Sequence, residues 1–170
     1  VESVPGEGST FWFTVWLKRG QMLQEETTAK VRGDEEAILR QRHGDKRILL
    51  VEDDEVNREV AAFLIEDAGL IVDVAENGLV AVDKAAREDY DLILMDMQMP
   101  EMDGIEATRA IRKRSVSRRM PILALTANAF DEDRRQCLEA GMDDFISKPV
   151  DPERLYATLL RWLESGDSGA

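Results

Sequence analysis

Apolar positions along this chain change their rhythm near residue 47. From there on, short unbroken apolar runs alternate with segments in which apolar residues recur every three or four positions. The runs at 48–51, 71–75, 92–95, 122–125 and 144–147 have the length of strands. Between them, Val56, Val60, Phe63 and Leu64 mark a first helix, with Gly69 placed as the C′ residue behind it. Leu79, Val82 and Ala86 mark a second, Ile105, Thr108 and Ile111 a third, and Phe130, Cys137 and Leu138 a fourth. Leu155, Leu159, Trp162 and Leu163 mark a fifth, opened by Asp151 as N-cap and Pro152 at N1. Five strands alternating with five helices require right-handed crossovers. They predict an α/β fold, a doubly wound parallel sheet with helices on both faces.

The first 46 residues follow no such rhythm. A Gly-rich turn leads into an aromatic, β-branched stretch at 10–17, with Phe11, Phe13, Val15 and Leu17 on one face and Trp12, Thr14 and Trp16 on the other. A strand apolar on both faces needs a sheet to join or a surface to lie on. Residues 21–46 are polar, with weak periodicity around Ala37 to Leu39, and predict a linker that can hold a helical turn or two, in which His43 is solvated. Residues 166–170, rich in Gly and Ser, predict a disordered tail.

Charge sharpens this division. The 170 residues carry 35 acidic and 22 basic side chains, net −13. Residues 1–46 hold eight acids and seven bases, so almost the whole imbalance, −12, lies in residues 47–170. Such a surface repels phosphate backbones and anionic lipid, and a basic partner suits it better. No apolar run approaches the roughly 18–20 residues of a membrane span, and the single Cys137 cannot form an internal disulfide, so a reducing cytoplasm is expected. The basic residues Arg112, Lys113, Arg114, Arg118 and Arg119 are expected to form a solvated helix end and loop.

In open parallel sheets, ligands bind beyond the carboxyl ends of the strands, where the strand order reverses. The residues just after the runs are Glu52, Asp53 and Asp54, then Asp96, Thr126, and Lys148 followed by Pro149. Clustered carboxylates repel one another and stay ionised only beside a cation. Without His or Cys nearby, that cation is hard, and Mg²⁺ fits a site of few carboxylates, retained waters and a phosphoryl oxygen. A carboxylate can attack phosphorus to give an acyl phosphate. The roles then divide into nucleophile Asp96, metal ligands Glu52 and Asp53, charge neutralisation by Lys148 and a hydroxyl contact from Thr126. Asp54 and Asp103 read as turn or N-cap residues, and Met95, Met97, Met99 and Met102 as packing residues rather than soft-metal ligands.

Four segments carry a resemblance: Ile48-Leu-Leu-Val-Glu-Asp-Asp-Glu-Val-Asn-Arg58, Asp91-Leu-Ile-Leu-Met-Asp-Met-Gln-Met-Pro-Glu-Met-Asp-Gly104, Pro121-Ile-Leu-Ala-Leu-Thr-Ala127 and Phe145-Ile-Ser-Lys-Pro149. In order and interval they resemble the signature segments of response-regulator receiver domains, over roughly residues 47–165. The resemblance implies a flavodoxin-like (βα)₅ sheet of order 2-1-3-4-5. It implies phosphorylation of Asp96 by a phosphohistidine, in a module that catalyses its own aspartyl phosphorylation and dephosphorylation. Mg²⁺, or Mn²⁺ in its place, would be held by Asp53, Asp96 and the backbone carbonyl of Gln98, with Glu52 acting through water. Thr126, the Ala127 backbone and Lys148 would contact the phosphoryl group, and Gln98 and Asn128 would tune its lifetime. Thr126 and Phe145 would form the switch, with Phe where the family more often has Tyr or His, altering the face made by the fourth helix, fifth strand and fifth helix. The Lys148–Pro149 bond is expected to be cis.

Residues 6–11, Gly-Glu-Gly-Ser-Thr-Phe, with the strand after them, resemble the last Gly-rich box and terminal strand of a histidine-kinase ATP-binding domain. Together with the linker and receiver, this implies a piece of a hybrid sensor histidine kinase, cytoplasmic and belonging to a parent that can sit at the inner membrane. The implied partner is a histidine phosphotransfer domain or the kinase's own phosphoacceptor helix, docking over the cleft with Val56, Asn57 and Val60 at its rim. Two other readings stand beside this one. A Mg²⁺-dependent phosphohydrolase or NTPase would show multiple turnover, although the chain has no Gly-x-x-x-x-Gly-Lys-Ser/Thr loop and no second acid two residues after Asp96. A non-phosphorylated interaction domain would bind neither Mg²⁺ nor a phosphoryl group.

Overall fold

The computed structural model describes residues 2–4, 8–10, 34–114, 120–127 and 131–167. The chain divides into two compact units, 1–30 and 31–170. In the first, strands β1 (Glu2–Val4) and β2 (Gly8–Thr10) pair antiparallel, with Val4 opposite Gly8. The aromatic stretch predicted at 10–17 lies, beyond Thr10, outside the described residues.

In the second unit, helix α1 (Asp34–Arg42) precedes β3 (Arg47–Val51), α2 (Glu55–Asp67), β4 (Ile71–Ala75), α3 (Gly78–Arg87), β5 (Leu92–Asp96), α4 (Gly104–Arg114), β6 (Ile122–Thr126), α5 (Asp131–Ala140), β7 (Asp144–Ser147) and α6 (Pro152–Asp167). The five strands from β3 to β7 form one parallel sheet ordered β4-β3-β5-β6-β7, which is 2-1-3-4-5 counted from β3. β5 and β6 are buried at every position, as strands covered on both faces must be, and this is why they read as unbroken apolar runs. Alternate residues serve alternate layers. Ile48, Leu50, Leu92, Leu94, Leu123 and Leu125 pack with α1, α2 and α6. Leu49, Val51, Ile93, Met95, Ile122 and Ala124 pack on the opposite face, with α3, α4 and α5.

The helix ends follow the residues expected to make them. Asp54 Oδ1 accepts the Asn57 N–H at 2.8 Å, Asp103 Oδ1 the Glu106 N–H at 2.8 Å and Asp151 Oδ1 the Arg154 N–H at 3.0 Å. Gly69, with φ of 82°, closes α2 in the left-handed region.

Two readings are filled in and one is corrected. Residues 34–46, read as linker with a helical turn or two, contain a nine-residue helix, α1, whose Leu39 is fully buried in one cluster with Ile65, Leu155 and Leu159. Its periodicity is weak because Leu39 is its one buried residue. His43, expected to be solvated, is 4 % exposed, held where its backbone closes the turn between α1 and β3 through N–H to Leu39 O and O to Lys46 N–H. On α2 the residues that mark the helix divide, with Leu64 packed against the core. Val56, Val60 and Phe63 are 67 %, 53 % and 66 % exposed, whereas Ala61 and Ile65 face the sheet. Leu79 and Leu138 are likewise exposed. Cys137 is buried among apolar residues, with its Sγ 3.5 Å from Met97 Sδ, and Met97, Met99 and Met102 pack against the same layer. Among the described residues no helix is long and apolar enough to cross a membrane.

Candidate phosphoryl and cation site

Because the strands are parallel, the residues at their carboxyl ends converge. Glu52 and Asp53 leave β3 and enter the N-cap turn of α2. Asp96 closes β5, Thr126 closes β6, and Lys148 follows β7. Carboxylate oxygens of Glu52, Asp53 and Asp96 all lie within 4.8 Å of one another. Lys148 Nζ sits 2.6 Å from Glu52 Oε2 and 2.8 Å from Asp96 Oδ2, spanning the two buried acids. Its backbone N–H donates to the Thr126 carbonyl at 2.7 Å, which ties the end of β7 to that of β6. These side chains, with Asp54, Asn57, Met97, Gln98, Ile105, Ala127 and Gln136, line a cleft of about 340 Å³.

The charges in the cleft are unequal. Glu52 and Asp96 are almost wholly buried and Asp53 is exposed. Burial pushes the Glu52 carboxyl up from its ordinary range, against the opposing pull of the Lys148 ammonium. Burial by itself would lower the Lys148 pKa, but the hydrogen bonds to Asp96 and Glu52 carry it upward, so the ammonium stays charged. Asn57 Nδ2 reaches Glu52 Oε1 at 3.4 Å, and the Gln98 N–H donates to Asp96 Oδ1 at 3.3 Å. Close backbone approach fixes the loop behind Asp96. A Cβ on Gly104 would stand 2.1 Å from the Asp96 carbonyl oxygen, so α4 can begin against the end of β5 only with glycine there.

The sequence-predicted residues Glu52, Asp53, Asp96, Gln98, Thr126, Ala127 and Lys148 thus meet in one cleft. Phe145 lies on β7, partly buried against the layer that includes Ala124 and Cys137. The Lys148–Pro149 bond is cis. Asn128 lies outside the described residues. Sequence reasoning gave no part to Arg58, whose Nη1 donates to the carbonyls of Glu52 at 2.8 Å and Asp53 at 3.1 Å. Its only trace in the sequence is its place five and six residues after the acids.

The donor set is three carboxylates and no nitrogen or sulfur, the chemistry that suits a small hard cation. Lys148 and the Thr126 hydroxyl stand beside it, able to receive an anion.

Comparison with known proteins gives a consistent picture. The family model described as "Response regulator receiver domain" matches residues 48–160. The chain is 43 % identical over 127 residues to hybrid signal transduction histidine kinase B of Dictyostelium discoideum, a match covering 68 % of this chain and 6 % of that protein. The chain spans only 6 % to 15 % of the length of the first curated relatives it matches. Among solved structures, it is similar to the receiver domain of sensor histidine kinase PA1611 from Pseudomonas aeruginosa, which has magnesium coordinated in its active site cleft. Identity there is 45 %, coverage 71 % of this chain and 98 % of that one, and the TM-score 0.66. It is also similar to the Saccharomyces cerevisiae Ssk1 receiver domain, crystallised with the histidine phosphotransfer protein Ypd1, at 30 % identity, 69 % and 88 % coverage and a TM-score of 0.65.

Proposed function

This chain belongs to the response-regulator receiver family, and from that membership we propose that its cleft accepts a phosphoryl group on Asp96 as one step of a phosphorelay. The observation that carries the reading is Lys148 Nζ set between Glu52 and Asp96, beside three carboxylates gathered within 4.8 Å. An Asp96 oxygen attacks phosphorus, the phosphorus–nitrogen bond to a partner's imidazole breaks, and the electron pair leaves with the imidazole, giving an acyl phosphate. Lys148 then has a phosphoryl oxygen to bind in place of a carboxylate, and the Thr126 hydroxyl and Ala127 N–H supply donors on the other side. Mg²⁺ would be held by Asp53, Asp96 and the Gln98 carbonyl, with Glu52 acting through water; when bound it neutralises charge on the transferring group. Mn²⁺ has the same oxygen preference and would substitute. Gln98 and Asn128 would set how long the acyl phosphate lasts.

Movement of Thr126 toward the phosphoryl group would open space for Phe145. Carrying no hydroxyl, Phe145 would respond by packing alone and alter the face made by α5, β7 and α6.

The partner we propose is a histidine phosphotransfer domain or a kinase phosphoacceptor helix, as the Ssk1–Ypd1 pairing and the hybrid-kinase relative suggest. The exposed stripe Val56, Val60 and Phe63 begins at the rim of the cleft, where Asn57 lines it, and would seat such a helix. Residues 1–20 would be the end of a kinase ATP-binding domain, in a cytoplasmic part of the parent. The test is to incubate the protein with a small phosphodonor and Mg²⁺. An acid-stable, base-labile adduct is expected in the wild type and absent in Asp96→Asn; labelling that survives the substitution overturns the assignment.

A further inference from the structure

The geometry points to Arg58 as a positioning residue for the acidic cleft: by donating from one nitrogen to the carbonyls of both Glu52 and Asp53, it fixes the peptide units that carry two of the three carboxylates and so raises the cleft's affinity for a divalent cation. The inference rests on the cation-binding reading above and concerns how the chain builds that site.

Between β3 and α2 the backbone makes a sharp change of direction. Glu52 still donates its N–H to Ala75 O at 3.1 Å, in continuation of the β3–β4 ladder, while Asp54 two residues later is already the N-cap of α2. The carbonyls of Glu52 and Asp53 fall in the gap between the two patterns. Arg58, one turn into α2, fills that gap with its guanidinium at 2.8 and 3.1 Å from the two oxygens. Its own backbone N–H is held by Asp54 O at 2.9 Å, so the donor is anchored by the cap it serves.

Two consequences follow for the side chains. With both peptide planes held, Glu52 and Asp53 leave the backbone in fixed directions, and less conformational freedom remains to be lost when a cation gathers them. The guanidinium's charge acts the other way, relieving carboxylate repulsion in the metal-free cleft, so the gain in affinity comes from the ordering of the two peptide units. Asn57 complements it by touching the Glu52 carboxylate itself, at 3.4 Å. Arg58 is therefore expected to act on affinity without touching the cation.

The test is calorimetric titration of Mg²⁺ into the metal-free chain, with thermal unfolding in chelator measured in parallel. Arg58→Met keeps the aliphatic stem and removes both donors; about a tenfold weaker Mg²⁺ affinity is expected, the lower end of what loss of a group supporting metal ligands costs. Arg58→Lys, which can offer two hydrogens from one nitrogen, should recover most of that loss. Ile111→Val, a core truncation in α4, serves as the stability control and should keep wild-type affinity although it melts earlier. If Arg58→Met does not melt cooperatively, Arg58→Gln takes its place with the same expectation. Wild-type affinity in Arg58→Met, or a loss in Ile111→Val as large as in Arg58→Met, overturns the inference. Failure of the wild type to bind Mg²⁺, with no change on Asp53→Asn, overturns the cation reading together with it.

Discussion

At the residue scale, the two ends of the sheet use ionisable groups differently. Beyond the carboxyl ends, like charges are crowded around Lys148. At the amino ends, opposite charges are matched: Arg47 pairs with Asp73 at 2.5 Å and Glu88 at 2.8 Å, and its guanidinium lies 5.2 Å above the centre of the Tyr90 ring. Tyr90 is 3 % exposed, and burial, with Asp73 beside its hydroxyl, pushes its pKa up to about 12. The folded state keeps a proton that the unfolded chain gives up near pH 10. The associated stability is therefore intact below pH 10 and is lost as pH rises through about 12, a loss on the order of 2 kcal/mol. Urea unfolding of wild type and Tyr90→Phe at pH 9 and pH 12 should show the wild type losing more than the variant by that amount; parallel losses would refute it. Individual site residues were legible in the sequence to an uneven degree. Asp96, Thr126 and Lys148 could be read because each stands at the carboxyl end of a strand-length apolar run. Arg58 could not, because it binds main-chain carbonyls, which every residue has and no sequence pattern marks.

At the scale of elements, strands proved easier to read than helix faces. A strand buried on both sides declares itself by an unbroken run, as Leu92 to Met95 does. A helix declares only that it has an apolar stripe. In α2 the conspicuous stripe of Val56, Val60 and Phe63 faces solvent, and burial falls to Ala61 and Ile65. Those two residues are too few to mark a sheet-facing stripe in the sequence. Helix α1 is the opposite case, being polar almost throughout and fastened by Leu39. Leu39→Ala should cost about 2–5 kcal/mol of unfolding free energy, read from denaturant midpoints, and should lower amide protection over residues 34–42. A change under about 0.5 kcal/mol would mean that the helix contributes little to the fold.

At the scale of the whole molecule, the net charge of −13 acts mainly through where it is concentrated. Three carboxylates within 4.8 Å make the cleft a cost to the metal-free fold, only partly offset by Lys148. Adding Mg²⁺ at a hundred times its dissociation constant should stabilise the chain by about 2.7 kcal/mol, and chelator should reverse the gain. Asp53→Asn should shift both measurements in opposite directions, raising the metal-free melting point and abolishing the Mg²⁺-dependent rise. A variant that lost stability in chelator would contradict this account.

Helix α6 stands between two surfaces that the chain keeps far apart in sequence. On one side it meets β7, where the Trp162 indole N–H and the Arg161 guanidinium both reach the carboxylate of Asp144. On the other it meets α1, with Leu155, Leu159 and Tyr156 in the cluster that holds Leu39. Helix α1, by which the polypeptide enters this domain, is thereby packed onto its last helix. The first and last helices of this unit share one apolar seam, so the parallel sheet is closed on that face by the two ends of its own chain.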